Sequence, residues 1–259
     1  MKRIYRAALG TCLLAASSAG LTAVTLSGTV RDFCAPSIVG TCTKLSDFEG
    51  PVPGVVTGMV GATLVGGLPT PGPSLVAGGS TVANFAKWYT ASPGFNLATP
   101  TSVTLTEGPA GTFTYASPAF FPIDGALFGN QGNPHNYHFT MQLAGLLSFS
   151  DPTAAADKIF TFTGDDDLWI YVDGKLVIDL GGVHGAATAS FTEETLKGLG
   201  LVAGTSYALD IFFAERHTTE STFAITTTLD IAAPGLPEPA SWALLALGLV
   251  GLGATRRRS

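Results

Sequence analysis

Three consecutive carboxylates, Asp165-Asp166-Asp167, are the residues of this chain best suited to chemistry. They follow Gly164 and precede the most apolar run of the middle region, Leu168-Trp169-Ile170-Tyr171-Val172. Neighbouring like charges oppose one another's ionisation, and a bound cation relieves that opposition. Carboxylate oxygens are the hard ligands that Ca²⁺ takes, six to eight at a time. The competing reading is a solvated turn, because aspartate is common in turns. Two further polar clusters end apolar runs. Asp179-Leu180-Gly181-Gly182-Val183-His184 offers Asp179 and His184 as additional metal ligands. Glu215-Arg216-His217 puts Glu215 and His217 on one strand face, as candidate glycan contacts, with Arg216 opposite. There is no nucleophile–base signature, no glycine-rich phosphate loop and no HExxH, so no catalytic residue is assigned. Two carboxylates can cleave a glycoside, but only at separations that a sequence does not give.

The elements that must position these residues read as strands. Ser102 to Thr106 alternates with period two, Gly108-Pro109-Ala110-Gly111 turns the chain, and Thr112 to Tyr115 answers as a hairpin partner. His138 to Leu143 and Lys158 to Thr163 alternate again, the latter with Phe160 and Phe162 on one face and Ile159, Thr161 and Thr163 on the other. Asp173-Gly174 joins Leu168–Val172 to Lys175–Asp179 and predicts a two-residue type I′ turn. Late strands are expected at Tyr207–Ala214 and Thr222–Ile231. A short helix is expected between Ser190 and Gly198, with a Ser190/Glu193 capping box and Gly198 as its C-cap. Residues 50–82 read as loops with short strands. Trp169 and Trp88 are aromatic surfaces for a sugar ring or, given the alternation around Trp169, core side chains.

Composition agrees with an all-β domain. Only 12% of the 259 residues are charged, and 32 Gly and 16 Pro punctuate the chain, which favours many short strands. Net charge is −6 with basic runs only at the two ends, so no nucleic-acid footprint is present.

Those ends read as addresses. Lys2, Arg3 and Arg6 precede an apolar run from Ala7 to Ala16, and small residues follow, so that cleavage is expected after Ala19 or Ala23. Cys12 falls in the cleaved part. Cys34 and Cys42 remain and, in an exported protein, are expected to form a disulfide rather than stay as free thiols. At the other end come Pro237-Glu238-Pro239, an apolar stretch from Ala240 to Ala254, and Arg256-Arg257-Arg258. At about 1.5 Å per residue that stretch is roughly 23 Å long, short of the ~30 Å hydrocarbon core unless its flanks contribute. The arginines would stay cytoplasmic and leave the domain outside. The competing reading is a permanent tail anchor. The ordered triplet, apolar span and arginine cluster resemble the PEP-CTERM sorting signal. That resemblance implies a Gram-negative, exopolysaccharide-making source, signal peptidase and exosortase as processing enzymes, and transient membrane insertion by the tail. The layout is therefore a signal peptide over 1–23, one β-domain over 24–232 and a sorting tail over 233–259.

The central stretch from Phe162 to His184 resembles the core of the fibro-slime domain. Thr29–Phe33, Asp47-Phe48-Glu49, Phe120–Asp124, His135–Thr140 and Ala214–His217 resemble its other hallmarks. That domain is in turn similar to the protective-antigen-type lectin, an antiparallel β-sandwich of jelly-roll type. The resemblance implies that Asp165 and Asp166, joined by a cis peptide, coordinate calcium, and that the calcium holds sugar hydroxyls. Asp167 stands where that family commonly has glycine. The expected function is that of an exported surface or matrix protein that is not an enzyme and binds a glycan or exopolysaccharide with calcium, in adhesion or biofilm. A purely structural slime protein is the alternative, and a glycoside hydrolase a third reading.

Overall fold

The computed structural model describes residues 22–35, 42–150 and 158–234. The expected signal segment up to residue 21, including Cys12, lies outside the described residues. So does the sorting tail, with Pro237, Glu238, Pro239, Arg256, Arg257 and Arg258. The described chain is nearly all β. Its strands are β1 (Ala23–Phe33), β2 (Asn96–Glu107), β3 (Phe113–Ser117), β4 (Phe139–Ser148), β5 (Ile159–Gly164), β6 (Asp167–Val172), β7 (Lys175–Leu180), β8 (Ala187–Thr192), β9 (Tyr207–Glu215), β10 (Phe223–Thr227) and β11 (Asp230–Ala232). They pair antiparallel in the order β7-β6-β9-β4-β1-β2-β3-β10-β5-β8, and β11 adds to β4. The two ends of this path, β7 and β8, touch each other. The sheet therefore folds over on itself as a β-sandwich.

The period-two pattern explains what fills it. Leu168, Ile170 and Val172 of β6 point inward with Leu209, Ile211 and Phe213 of β9, Met141 and Leu143 of β4, and Phe160 and Phe162 of β5. The alternate residues of β6 and β9 are buried too. Trp169, Tyr171, Phe212 and Ala214 meet a second core supplied by Phe33, Phe48, Met59, Phe85, Trp88 and Tyr89. Residues 42–95 thus cover the outer face of β6 and β9, which is why β6 reads as an uninterrupted apolar run. This segment holds isolated bridges, such as Val60 with Pro71 and Val65 with Leu68, and one helical turn, α1 (Val82–Phe85). Trp88 and Trp169 are fully buried, their centroids 6.3 Å apart, and are core residues.

The predicted hairpins are present. β2 pairs with β3, and β6 with β7 around Asp173 and Gly174, whose φ of 52° and 68° suit a type I′ turn. Cys34 and Cys42 are joined by a disulfide with Cα atoms 5.8 Å apart. Two details differ from expectation. The late strand expected over Thr222–Ile231 is split, its second part leaving β10 to pair with β4 as β11. The helix is shorter, α2 (Glu193–Gly198), and its capping box is made by Thr192 and Thr195. Ser190 belongs to β8, because the β5–β8 ladder runs through Thr192 and the Ser190 hydroxyl pairs with Thr161 at 2.9 Å. Gly198 ends the helix, and the left-handed position falls on Gly200 at φ 81°.

Candidate functional site

Three connections meet at one pole of the sandwich: β5–β6, carrying Asp165 and Asp166; β7–β8, carrying Val183 and His184; and β9–β10, carrying His217 to Ser221. Between them lies a cleft of about 120 Å³ walled by Val52, Asp165, Asp166, Val183, His184, Gly185, His217, Thr219 and Glu220. Gly164 leads in because a Cβ there would meet the Phe162 ring at 2.5 Å and the Thr222 carbonyl at 2.8 Å. The Asp165–Asp166 peptide bond is cis. The Asp165 amide donates to the Thr222 carbonyl at 3.3 Å, and its carboxylate accepts the Thr222 amide in return. Asp166 accepts the His184 amide at 3.1 Å through Oδ1 and the Arg216 amide at 2.9 Å through Oδ2. One carboxylate thus ties together the other two connections.

Asp167 does not join them. Its Oδ1 accepts the Gly182 amide at 2.6 Å, and its Oδ2 pairs with Arg216 Nη1 at 3.0 Å, both groups fully buried. Arg216 has its remaining donors on main-chain carbonyls: Nε on Phe48 at 2.7 Å, Nη1 on Gly78 at 3.1 Å, and Nη2 on Gly79 and Asp47 at 3.3 and 3.4 Å. Its guanidinium lies over the Trp88 ring at 4.9 Å. This is a structural plug in the second core, and Asp167 as a metal ligand is corrected accordingly. Asp179 is corrected too. It sits opposite Trp169 in the β6–β7 register and accepts Trp169 Nε1 at 3.1 Å and the Gly58 amide at 2.6 Å, away from the cleft. Glu215 is 1% exposed and does not line the cleft, so direct glycan contact by this side chain is not what the geometry offers. It lies beneath the pole, with Oε1 accepting the His217 amide at 3.2 Å and Oε2 buried without a hydrogen-bond partner. His184 and His217 do line the cleft.

The pole carries more negative charge than it neutralises. Burial pushes the Asp166 carboxyl up to about 7, and the charge of Asp167 adds to it. Burial raises Asp165 as well. Glu215 is held well above the usual carboxylate range by burial first and then by Asp166 and Asp165. Among the described residues, no three His, Cys, Asp or Glu side chains form a metal cage by themselves. The donor set still fits a hard cation with an open coordination shell. Two vicinal carboxylates supply oxygen on a cleft wall, and water, main-chain carbonyls or ligand hydroxyls can complete six to eight positions. Arg216 is the residue that sequence reasoning missed. Its signals were a position on the strand face opposite Glu215 and His217 and its place in the Ala214–His217 hallmark.

Residues 128–238 match the PA14 domain. The chain carries a PA14 domain. The match spans β4 to β11, so the PA14 domain contains Asp165, Asp166, His184 and His217. Residues 236–258 match the PEP-CTERM protein-sorting motif, which marks the chain for export through a Gram-negative envelope. Protein psiQ of Dictyostelium discoideum is 37% identical over 218 residues, 76% of this chain and 21% of that protein. Protein psiD of the same organism is 40% identical over 156 residues, 57% of this chain and 29% of that protein. The chain therefore spans less than a third of the length of these relatives. Among solved structures, a PA14 sugar-binding domain from an RTX adhesin is 14% identical with a TM-score of 0.30, over 80% of this chain and 94% of that one. The PA14 domain of the MpAFP antifreeze protein is 15% identical with a TM-score of 0.30, over 52% and 77% of the two chains. Among the described residues no helix is long and apolar enough to cross a membrane.

Proposed function

We propose that this is a non-enzymatic surface protein that binds carbohydrate at the Asp165–Asp166 cleft with the help of calcium. The observation that carries the reading is the pair of vicinal carboxylates, Asp165 and Asp166, on the wall of one cleft, both raised by burial. Calcium there would be held by Asp165 and Asp166 and would supply a charge whose remaining coordination positions accept paired sugar hydroxyls. His184 and His217 would border the sugar. The solved sugar-binding domain of the adhesin is of the same domain type. The sorting motif supports processing by exosortase and a tail that holds the protein in the membrane beforehand, with adhesion or biofilm as its setting. Glu215, which a glycoside hydrolase reading would use, is buried below the cleft rather than facing it.

One observation favours the alternative of a structural matrix protein without sugar specificity. Both oxygens of Asp166 already accept main-chain amides, so that the carboxylate is also a loop staple. Titration calorimetry with calcium to millimolar concentration separates the two readings. Wild-type protein is expected to bind with a Kd of about 10⁻⁴–10⁻³ M, as extracellular modules do. Asp165→Asn/Asp166→Asn should lose that heat while keeping its far-ultraviolet spectrum. A folded wild type that takes up no calcium sinks the calcium site and leaves the matrix reading.

A further inference from the structure

Two motifs remain unused by the cleft: Phe120–Asp124 and His135–Tyr137. The fold brings them together. The rings of Phe121 and His135 stack face to face, with centroids 4.0 Å apart and planes 3° from parallel. Tyr137 stands edge-on to both, at 5.0 and 5.9 Å. Asp124 fixes the arrangement. Its Oδ2 lies 2.6 Å from His135 Nδ1, and its Oδ1 accepts the Asn136 amide at 2.7 Å. A carboxylate that only accepts makes Nδ1 the donor. The Tyr137 ring is buried beneath, whereas Phe121 and His135 are part-exposed, the His135 side chain by 41%. A stacked pair of rings is thus held at the surface by a short ion-assisted bond rather than folded into the core.

Its place follows from the ladders. β3 pairs with β10 at Ser117 and Phe223, and Ala119 bridges Ser221 with the Phe120 amide on the Ser221 carbonyl at 2.7 Å. That bridge is parallel, so Phe121 follows the Phe120–Ser221 hydrogen bond beside the connection whose Thr222 amide donates to the Asp165 carboxylate. β4 pairs with β9 at Phe139 and Glu215, and that direction carries Tyr137 toward His217. Asp165 and His217 are both walls of the cleft.

We infer that the Phe121–His135 pair is a second sugar subsite, which stacks the apolar C–H face of a pyranose ring next to the sugar held at Asp165 and Asp166. An aromatic face carries partial negative charge and attracts polarised C–H groups, and a rigid ring loses little entropy on binding. Asp124 is the positioning residue that keeps the imidazole stacked parallel to the Phe121 ring. The inference rests on the carbohydrate reading of the cleft and deepens it: the ligand is an oligosaccharide or polymer, not a single sugar.

The test uses the full chain, purified with calcium, on an array of glucose, galactose and mannose oligomers one to four units long, followed by calorimetry on the best series. Wild-type affinity is expected to rise about tenfold or more from monomer to dimer. Phe121→Leu keeps the apolar volume but has no ring face. It should abolish that rise while leaving monomer affinity and calcium uptake unchanged, and His135→Ala should do the same. Phe121→Trp should retain the rise. Monomer and oligomer binding with equal affinity in the wild type overturns the subsite alone. An unchanged rise in Phe121→Leu overturns it as well, as does equal loss of monomer and oligomer binding. Calcium uptake without binding of any sugar overturns the carbohydrate reading and this subsite with it.

Discussion

Arg216 shows how far a residue's role can lie from its neighbours in sequence. It stands between Glu215 and His217, yet its side chain crosses to the second core and closes an ion pair with Asp167. Breaking one side of a buried pair leaves a charge without a partner, which costs about 3–5 kcal/mol. Arg216→Met is therefore expected to lower stability by that amount in urea unfolding. Asp167→Leu in the same chain should recover much of it, because the orphaned carboxylate is gone. A single variant within 1 kcal/mol of wild type, as measured, would show that Asp167 finds another partner. The same residues mark what was legible. Asp165, Asp166, His184 and His217 stood out because chemical type and strand-end position are local properties. Asp167 and Asp179 looked alike in sequence, and what separates them from the site is distant: Arg216 is 49 positions from Asp167, and Gly58 is 121 from Asp179.

At the scale of elements, β1 carries a consequence for processing. Ala23 pairs with Thr106, and the Thr22 carbonyl accepts the Glu107 amide at 2.9 Å. Cleavage after Ala23 would remove the first rungs of the β1–β2 ladder, whereas cleavage after Ala19 keeps them. Mass spectrometry of the exported protein is expected to show Gly20 as its first residue, and a Val24 start would show that these rungs are dispensable. β1, like β8, was a strand that pattern reading passed over. Its inward positions run Leu26, Gly28, Val30 and Asp32, so glycine and a carboxylate interrupt the apolar alternation. Gly28 is required by close approach, since a Cβ there would lie 1.8 Å from the Gln142 carbonyl oxygen. The hairpins, by contrast, announced themselves, because Asp173-Gly174 and Gly108–Gly111 are local turn chemistry. The start of α2 was misplaced by two residues for a tertiary reason: the β5 ladder holds Ser190 before the helix can begin.

The whole molecule is acidic and sparsely charged, and several of its carboxyls are buried. Burial raises Asp32 to about 7 and also raises Asp179 and Asp210. A carboxyl whose folded value exceeds its unfolded one stabilises the fold below the unfolded value, near 4, and that contribution is lost as pH rises through the folded value. Stability without calcium is therefore expected to fall between about pH 4 and pH 8. For Asp32 alone the loss is on the order of 4 kcal/mol at most. Urea midpoints over this range should fall less steeply for Asp32→Asn, whose side chain can still accept the Phe128 amide that now lies 2.7 Å from Oδ2. Equal slopes would mean that Asp32 ionises in the fold without penalty. The strand layout also gives the molecule a direction. β4 begins at Phe139, opposite Glu215 at the cleft pole, and ends at Ser148, opposite Asp230 of β11. Those ten residues run about 30 Å at the usual rise per residue. β11 runs antiparallel to β4, from Asp230 opposite Ser148 to Ala232 opposite Leu146, so the last described strand turns back from the far pole toward the cleft. Were the sorting tail to hold the protein at a membrane, the cleft would stand roughly 20 Å along β4 from the last described strand before that tail.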